Sequence, residues 1–136
     1  MIVVFDIVMV KPPFKMYNGE ELIGFFKAVF WGDRKLIVSW SGTLYITNRR
    51  LVFAKTFPPW DKETLEWPLY NIVDVIVQKL PFSWSMVRGF DIAASLSKGI
   101  FIKLSDDKEI VFTCVRGDPE YWRDFIREAV YSVRDG

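Results

Sequence analysis

Residues Gly42–Thr56 read GTLYITNRRLVFAKT. Two runs with strand composition, Leu44-Tyr45-Ile46 and Leu51-Val52-Phe53-Ala54, flank the polar knot Thr47-Asn48-Arg49-Arg50. β-Branched and aromatic side chains suit a half-buried pleated surface, and Asn accepts the positive φ that a tight reversal uses. The stretch therefore predicts a β-hairpin, with Arg49 and Arg50 as solvated turn residues. The rest of the chain has to supply the sheet that such a hairpin joins.

Alternation supplies it. From Leu22, the residues Phe26, Ala28 and Phe30 fall on one face with Leu22, and Lys27 points the other way. Trp31–Lys35 reads as a loop, and Leu36–Trp40 leads into the hairpin. After a second loop at Phe57–Glu63, Trp67-Pro68-Leu69 opens the next strand; in Ile72–Lys79, Val73, Val75 and Val77 face inward against Asp74 and Gln78. Phe90–Ser97 alternates through Ile92, Ala94 and Leu96. A turn at Ser97-Lys98-Gly99 follows, then Ile100, Ile102 and Leu104 on one buried face. Ser105–Lys108 closes another hairpin into Glu109–Val115, with Ile110, Phe112 and Cys114 inward. Residues 1–11 are apolar and β-branched and predict an appended strand, stopped by Pro12-Pro13.

The last element changes period. Asp118 is placed to cap a helix, Pro119 suits its first position, and Glu120 complements the dipole of the first turn. Trp122, Phe125, Ile126, Ala129, Val130 and Val133 then form one apolar stripe, with Arg123, Asp124, Arg127 and Glu128 opposite. About seven short antiparallel strands and one terminal amphipathic helix imply a mainly β domain, a barrel or two-sheet sandwich with a helix over an open face. At 136 residues the chain is read as one domain. Residues 1–19 form an N-terminal extension, 20–117 the barrel and 118–134 the helix.

Composition excludes more chemistry than any motif suggests. There is no histidine, which removes the commonest general base, the commonest transition-metal ligand and every Ser–His or Cys–His couple. Cys114 is the single cysteine, so no intramolecular disulfide forms, and a reducing interior is expected. Lys and Arg number 18 against 17 Asp and Glu, a balance that argues against a nucleic-acid surface. MIVVFDIVMVKPPF lacks the basic lead of a signal peptide, and its apolar run is too short to cross a bilayer. The chain is thus expected to be cytoplasmic, without cofactor or metal, and not an enzyme. Asp106-Asp107-Lys108-Glu109 has too few ligands for calcium, and Arg116-Gly117-Asp118 is explained by a turn and a helix cap.

The hairpin pattern G-x-L-x-I-T-N-x-R-L-V-F resembles the central motif of GRAM and related pleckstrin-homology-like domains. Glu20-Glu21-Leu22-Ile23, Trp67-Pro68-Leu69-x-x-Ile72-x-x-Val75 and the Trp122/Phe125-Ile126 helix follow that family's order. The resemblance spans about Phe14 to Val133. It implies seven strands in two nearly orthogonal sheets with a C-terminal helix plugging one end, and a non-catalytic module that binds proteins, lipid head groups or membrane surfaces. In relatives that bind inositol phosphates, the loop between the first two strands supplies basic residues, and the matching positions here are Arg34 and Lys35. Asp106 and Asp107 on the same rim oppose a phosphate site by like-charge repulsion.

Two further stretches set aromatics beside prolines: Phe57 and Trp60, then Phe82, Trp84 and Met86, with Lys55, Lys62, Lys79 and Arg88 near them. Three readings stand side by side: packing into the domain's own core, association with a protein partner or a second copy, and weak contact with an anionic membrane surface. The expected function is accordingly protein interaction or self-assembly, with peripheral membrane binding as the alternative.

Overall fold

A computed structural model describes residues 12–33, 37–56, 63–81 and 98–135. The strand expected over residues 1–11 and the one over Phe90–Ser97 lie outside the described residues. In chain order the elements are β1 (Leu22–Asp33), β2 (Ile37–Thr47), β3 (Arg50–Lys55), β4 (Thr64–Pro68), a 3-10 turn (Leu69–Asn71), β5 (Ile72–Lys79), β6 (Lys98–Leu104), β7 (Glu109–Cys114) and helix α1 (Pro119–Asp135). All seven strands pair antiparallel in the order β4-β3-β2-β1-β7-β6-β5.

Strand β1 makes this a half-barrel. It pairs with β2 from Leu22 to Gly32 and with β7 from Ala28 to Asp33, so it belongs to both halves of the expected pair of sheets. Register shifts interrupt it between Leu22 and Gly24 and beyond Phe30. An extra residue bends a strand and increases its twist, and the sheet curls about β1 as one hydrogen-bonded ladder.

The concave face holds the main core: Phe26, Ala28 and Phe30 of β1 meet Leu44, Ile46, Leu51, Phe53, Ile100, Ile102 and Phe112, with Ile126 and Val130 of α1 closing over them. Helix α1 begins as expected. The Glu120 amide donates to Asp118 Oδ1 at 3.0 Å, and the Trp122 amide to the Asp118 carbonyl at 3.3 Å. At its far end, Arg134 Nη2 donates to the Ile72 carbonyl at 2.6 Å and ties the last turn to β5.

Several boundaries depart from the sequence reading. Trp31-Gly32-Asp33 is not loop but the end of β1, and Lys98-Gly99 opens β6 where a turn was expected. Trp67-Pro68 closes β4, and the next strand begins only after the 3-10 turn. Val73 is 48% exposed, because the irregularity between Ile72 and Asp74 shifts the alternation that would have turned it inward. A second apolar layer, Val29, Trp31, Leu80, Phe101 and Val111, sits on the other face of β1, β6 and β7. Trp31 is 1% exposed, and its indole N–H donates to Thr113 Oγ1 at 2.9 Å. These strands are buried on both sides, which alternation alone does not reveal.

Close packing across the central hairpin fixes one glycine. A Cβ at Gly42 would lie 2.3 Å from the Ala54 carbonyl oxygen and 2.7 Å from the Phe53 ring. Gly42→Ala is expected to destabilise the fold by about 1–3 kcal/mol, the usual cost of overpacking, with the urea midpoint reporting it.

Candidate functional site

The motif that sets the fold's identity is spent on structure. Arg50 is 7% exposed, not solvated: its Nε donates to Glu20 Oε2 at 2.8 Å and its Nη2 to Glu20 Oε1 at 3.0 Å. Nη2 also reaches the Lys15 carbonyl at 2.7 Å, and Nη1 pairs with Glu66 of β4. The guanidinium lies 4.3 Å from the Tyr17 ring centroid and 5.0 Å from that of Phe14. Thr47 Oγ1 donates to Glu20 Oε2 at 2.7 Å and accepts the amides of Arg49 and Arg50, each at 3.0 Å. Among the described non-glycine residues only Asp107 has positive φ, so Asn48 does not make the reversal by a left-handed backbone. The turn is instead held by side chains: Asn48 Oδ1 accepts the Glu21 amide at 2.8 Å, and Arg49 Nη2 donates to the Asn18 carbonyl at 3.0 Å. Thr47, Asn48 and Arg50 thus clasp the segment before β1 onto the β2–β3 turn, and none is left to meet a ligand.

Burial alone would raise the Glu20 carboxyl, but hydrogen bonds from Arg50, the Tyr17 amide and Thr47 outweigh it and hold its pKa below the ordinary value. Its proton is therefore not available for acid catalysis near neutrality. Burial pushes the Cys114 thiol up to about 12, and the charges of Asp118 and Glu120 add to the effect; the thiol stays protonated and a poor nucleophile. Among the described residues no group of three or more His, Cys, Asp or Glu could hold a metal ion. No described helix is long and apolar enough to cross a membrane.

A surface feature remains open. Between the middle of β1, the Val115–Gly117 link and the first turn of α1 lies a groove of about 570 Å³, lined by Phe26, Lys27, Val115, Arg116, Gly117 and Trp122. Its floor is aromatic, with Phe26 and Trp122 stacked at 4.6 Å between centroids. Next to the groove, Tyr121 stands edge-on to Trp122 at 5.1 Å and is 57% exposed; Val115, which lines it, is 55% exposed. The Val115 amide donates to the Lys27 carbonyl at 3.0 Å, which extends the β1–β7 pairing and sets both rim residues. Gly117 has φ +101°, a backbone that favours glycine, and turns the chain into the helix without placing a side chain over the indole. Lys27 and Arg116 are exposed and meet no carboxylate among the described residues. The neighbouring acids are engaged: Asp118 caps the helix, and Glu120 pairs with Lys98 at 3.1 Å.

The residues singled out from the sequence, Arg34, Lys35, Phe57, Trp60, Phe82, Trp84, Met86 and Arg88, lie outside the described residues. Of the cations near them, Lys55 stacks over Trp40 at 4.2 Å. Asp106 and Asp107 form the β6–β7 turn, with the Lys108 amide bonded to Asp106 Oδ1 at 3.2 Å. The groove escaped the sequence reading because its cations come from positions 27 and 116, which only the β1–β7 pairing brings together.

The sequence profile of the GRAM domain matches residues 9–88, more than half of the chain. The chain belongs to the GRAM-domain family. Beyond that match, residues 98–135 of this GRAM domain supply β6, β7 and α1, and so most of the groove. The N-terminal pleckstrin-homology domain of Vps36 has a similar structure, with a TM-score of 0.66 at 13% identity over 90% of this chain and 87% of that one. The C-terminal domain of an unknown protein from Leishmania infantum follows with a TM-score of 0.52 at 20% identity, over 85% and 84% of the two chains. Such likeness shows a pleckstrin-homology-like fold, in agreement with the curled seven-stranded sheet and terminal helix. No curated protein matches the sequence. Domains of the GRAM and pleckstrin-homology-like kind typically bind proteins or lipids and are generally non-catalytic.

Proposed function

We propose that this GRAM domain is a non-catalytic module for protein interaction, with a partner protein or a second copy as its ligand. The observation that carries the reading is the groove beside α1, where an aromatic floor meets two exposed cations that have no carboxylate partner among the described residues. A described interior in which Glu20, Arg50 and Thr47 are fully engaged supports it, since binding is left to the surface. The protein side of the family's repertoire is favoured because Trp122 is recessed between strand and helix, whereas a lipid-dipping ring stands proud.

The second reading is weak, reversible binding to an anionic membrane through Phe57, Trp60, Phe82, Trp84, Met86 and Arg88, with Arg34 and Lys35 beside them. Its support is their composition, aromatics interleaved with cations. Co-sedimentation with neutral and with phosphatidylserine-containing liposomes separates the two. Under the protein-interaction reading neither liposome pellets the domain; pelleting by the anionic ones alone would hand the case to the membrane. Light scattering on the same sample reports self-assembly.

A further inference from the structure

We infer that the groove between β1 and α1 binds an extended acidic segment of a partner protein, an assignment that rests on the protein-interaction reading. Three observations point to that chemistry. Lys27 from β1 and Arg116 from the link before α1 stand on the rim without carboxylate partners among the described residues, so the missing charge is negative. The Trp122 indole N–H meets no acceptor among the described residues, and Gly117 beside it carries no side chain to cover it: a Cβ there would sit against Nε1 at 3.5 Å. A donor without a protein acceptor, on a residue that lines the groove, suits a peptide carbonyl whose neighbouring side chain lies on the stacked Phe26 and Trp122 rings. Arg116 supplies a planar fork for a carboxylate and Lys27 a second, point-like cation.

The alternatives fit less well. Two cations are too few to hold a nucleic-acid backbone. A bilayer takes up protruding apolar side chains, whereas a floor made of the buried Phe26 and the half-buried Trp122 suits a single extended chain. The groove is small beside a standard protein interface, so binding should be transient, with a Kd of roughly 10–100 µM that weakens with salt.

The test uses the full chain and fluorescein-labelled short peptides in which Leu or Phe alternates with Asp and Glu, against the same peptides with Lys in place of the acids. Anisotropy should rise with the acidic set alone. Reversing both rim charges, Lys27→Glu with Arg116→Glu, should weaken binding at least about 10-fold while the thermal midpoint stays put. Trp122→Phe keeps a ring on Phe26 but removes the donor, and should lose a smaller, about 3-fold, part of the affinity. The inference is overturned if the acidic peptides do not bind at about 1 mM, the weak end of measurable affinity. It is equally overturned if the basic controls bind as well, or if the double reversal changes nothing. Self-association or partner binding that survives the double reversal would sink the groove assignment and leave the broader protein-interaction reading standing; pelleting by anionic liposomes with no peptide bound would sink both.

Discussion

Arg50→Ala is expected to destabilise the domain by about 3–5 kcal/mol, because it strands the buried Glu20 carboxylate without its bidentate partner. The same change empties the space between Phe14 and Tyr17 and releases the Lys15 carbonyl. Against a typical total stability of about 5–15 kcal/mol, this is enough to lower the thermal midpoint by roughly 10–20 °C. Thermal melts of the variant and of Arg50→Met/Glu20→Leu give the decisive comparison. Removing both charges together should recover much of the loss, since the penalty lies in the unpaired charge rather than in the missing attraction. The pH dependence carries a definite sign. The folded-state pKa of Glu20 is depressed from 4.5, so its contribution is fully present above that value and is lost as pH falls through the lower, folded-state pKa. Arg50 is shifted upward, first by its hydrogen bond to Glu20, and stays charged throughout. Acid titration of Glu20→Gln should therefore show a flatter fall in stability below pH 4.5 than that of the parent protein.

Phe112→Ala should cost a similar amount, about 3–5 kcal/mol, by a different route. Its ring sits 5.1 Å from Phe30, 5.8 Å from Phe53 and 5.7 Å from Trp67, so it joins β7 to β1, β3 and β4 across the concave face. Truncation leaves a cavity that three rings on three strands cannot close together. Urea unfolding should show a lowered midpoint with an unchanged slope, which marks lost packing rather than a changed denatured state. Phe112→Leu, which keeps most of the volume, should lose well under half as much.

Strands with one wet face were readable from the chain, because period-two alternation is a direct imprint of a half-buried sheet. The inward set Ile100, Ile102 and Leu104 is legible in that alternation even though Phe101 between them is buried too, the β2–β3 hairpin in its strand composition and polar turn, and the helix from Asp118 in its cap and 3.6-residue stripe. Strands covered on both faces were read less well. Val29-Phe30-Trp31 and Ile110-Val111-Phe112 are continuous apolar runs, and Trp31 reads as loop because only the pairing with β2 and β7 shows the strand running on to Asp33. Burial of Arg50 is hidden from the sequence for a related reason. A turn position between polar residues looks solvated until Glu20, thirty positions earlier, is brought beneath it. The groove depended on the most distant pairing, that of β1 with β7, which no local pattern announces. The aromatic and basic residues at 34–35, 57–60 and 82–88 remain candidates on composition alone.

The seam where Ala28 meets Cys114 and Phe30 meets Phe112 also sets a kinetic condition. β1 finds its second neighbour only after the chain has been made as far as Cys114, and such distant pairings fold slowly, on a scale of ~ms to s. A nascent chain that has not yet reached Glu109 exposes the unpaired edge of β1 with Phe30 and Trp31 on it, an invitation to pair with a neighbour. Until β7 is in place, the open side of β1 is the part of the sheet most exposed to mispairing.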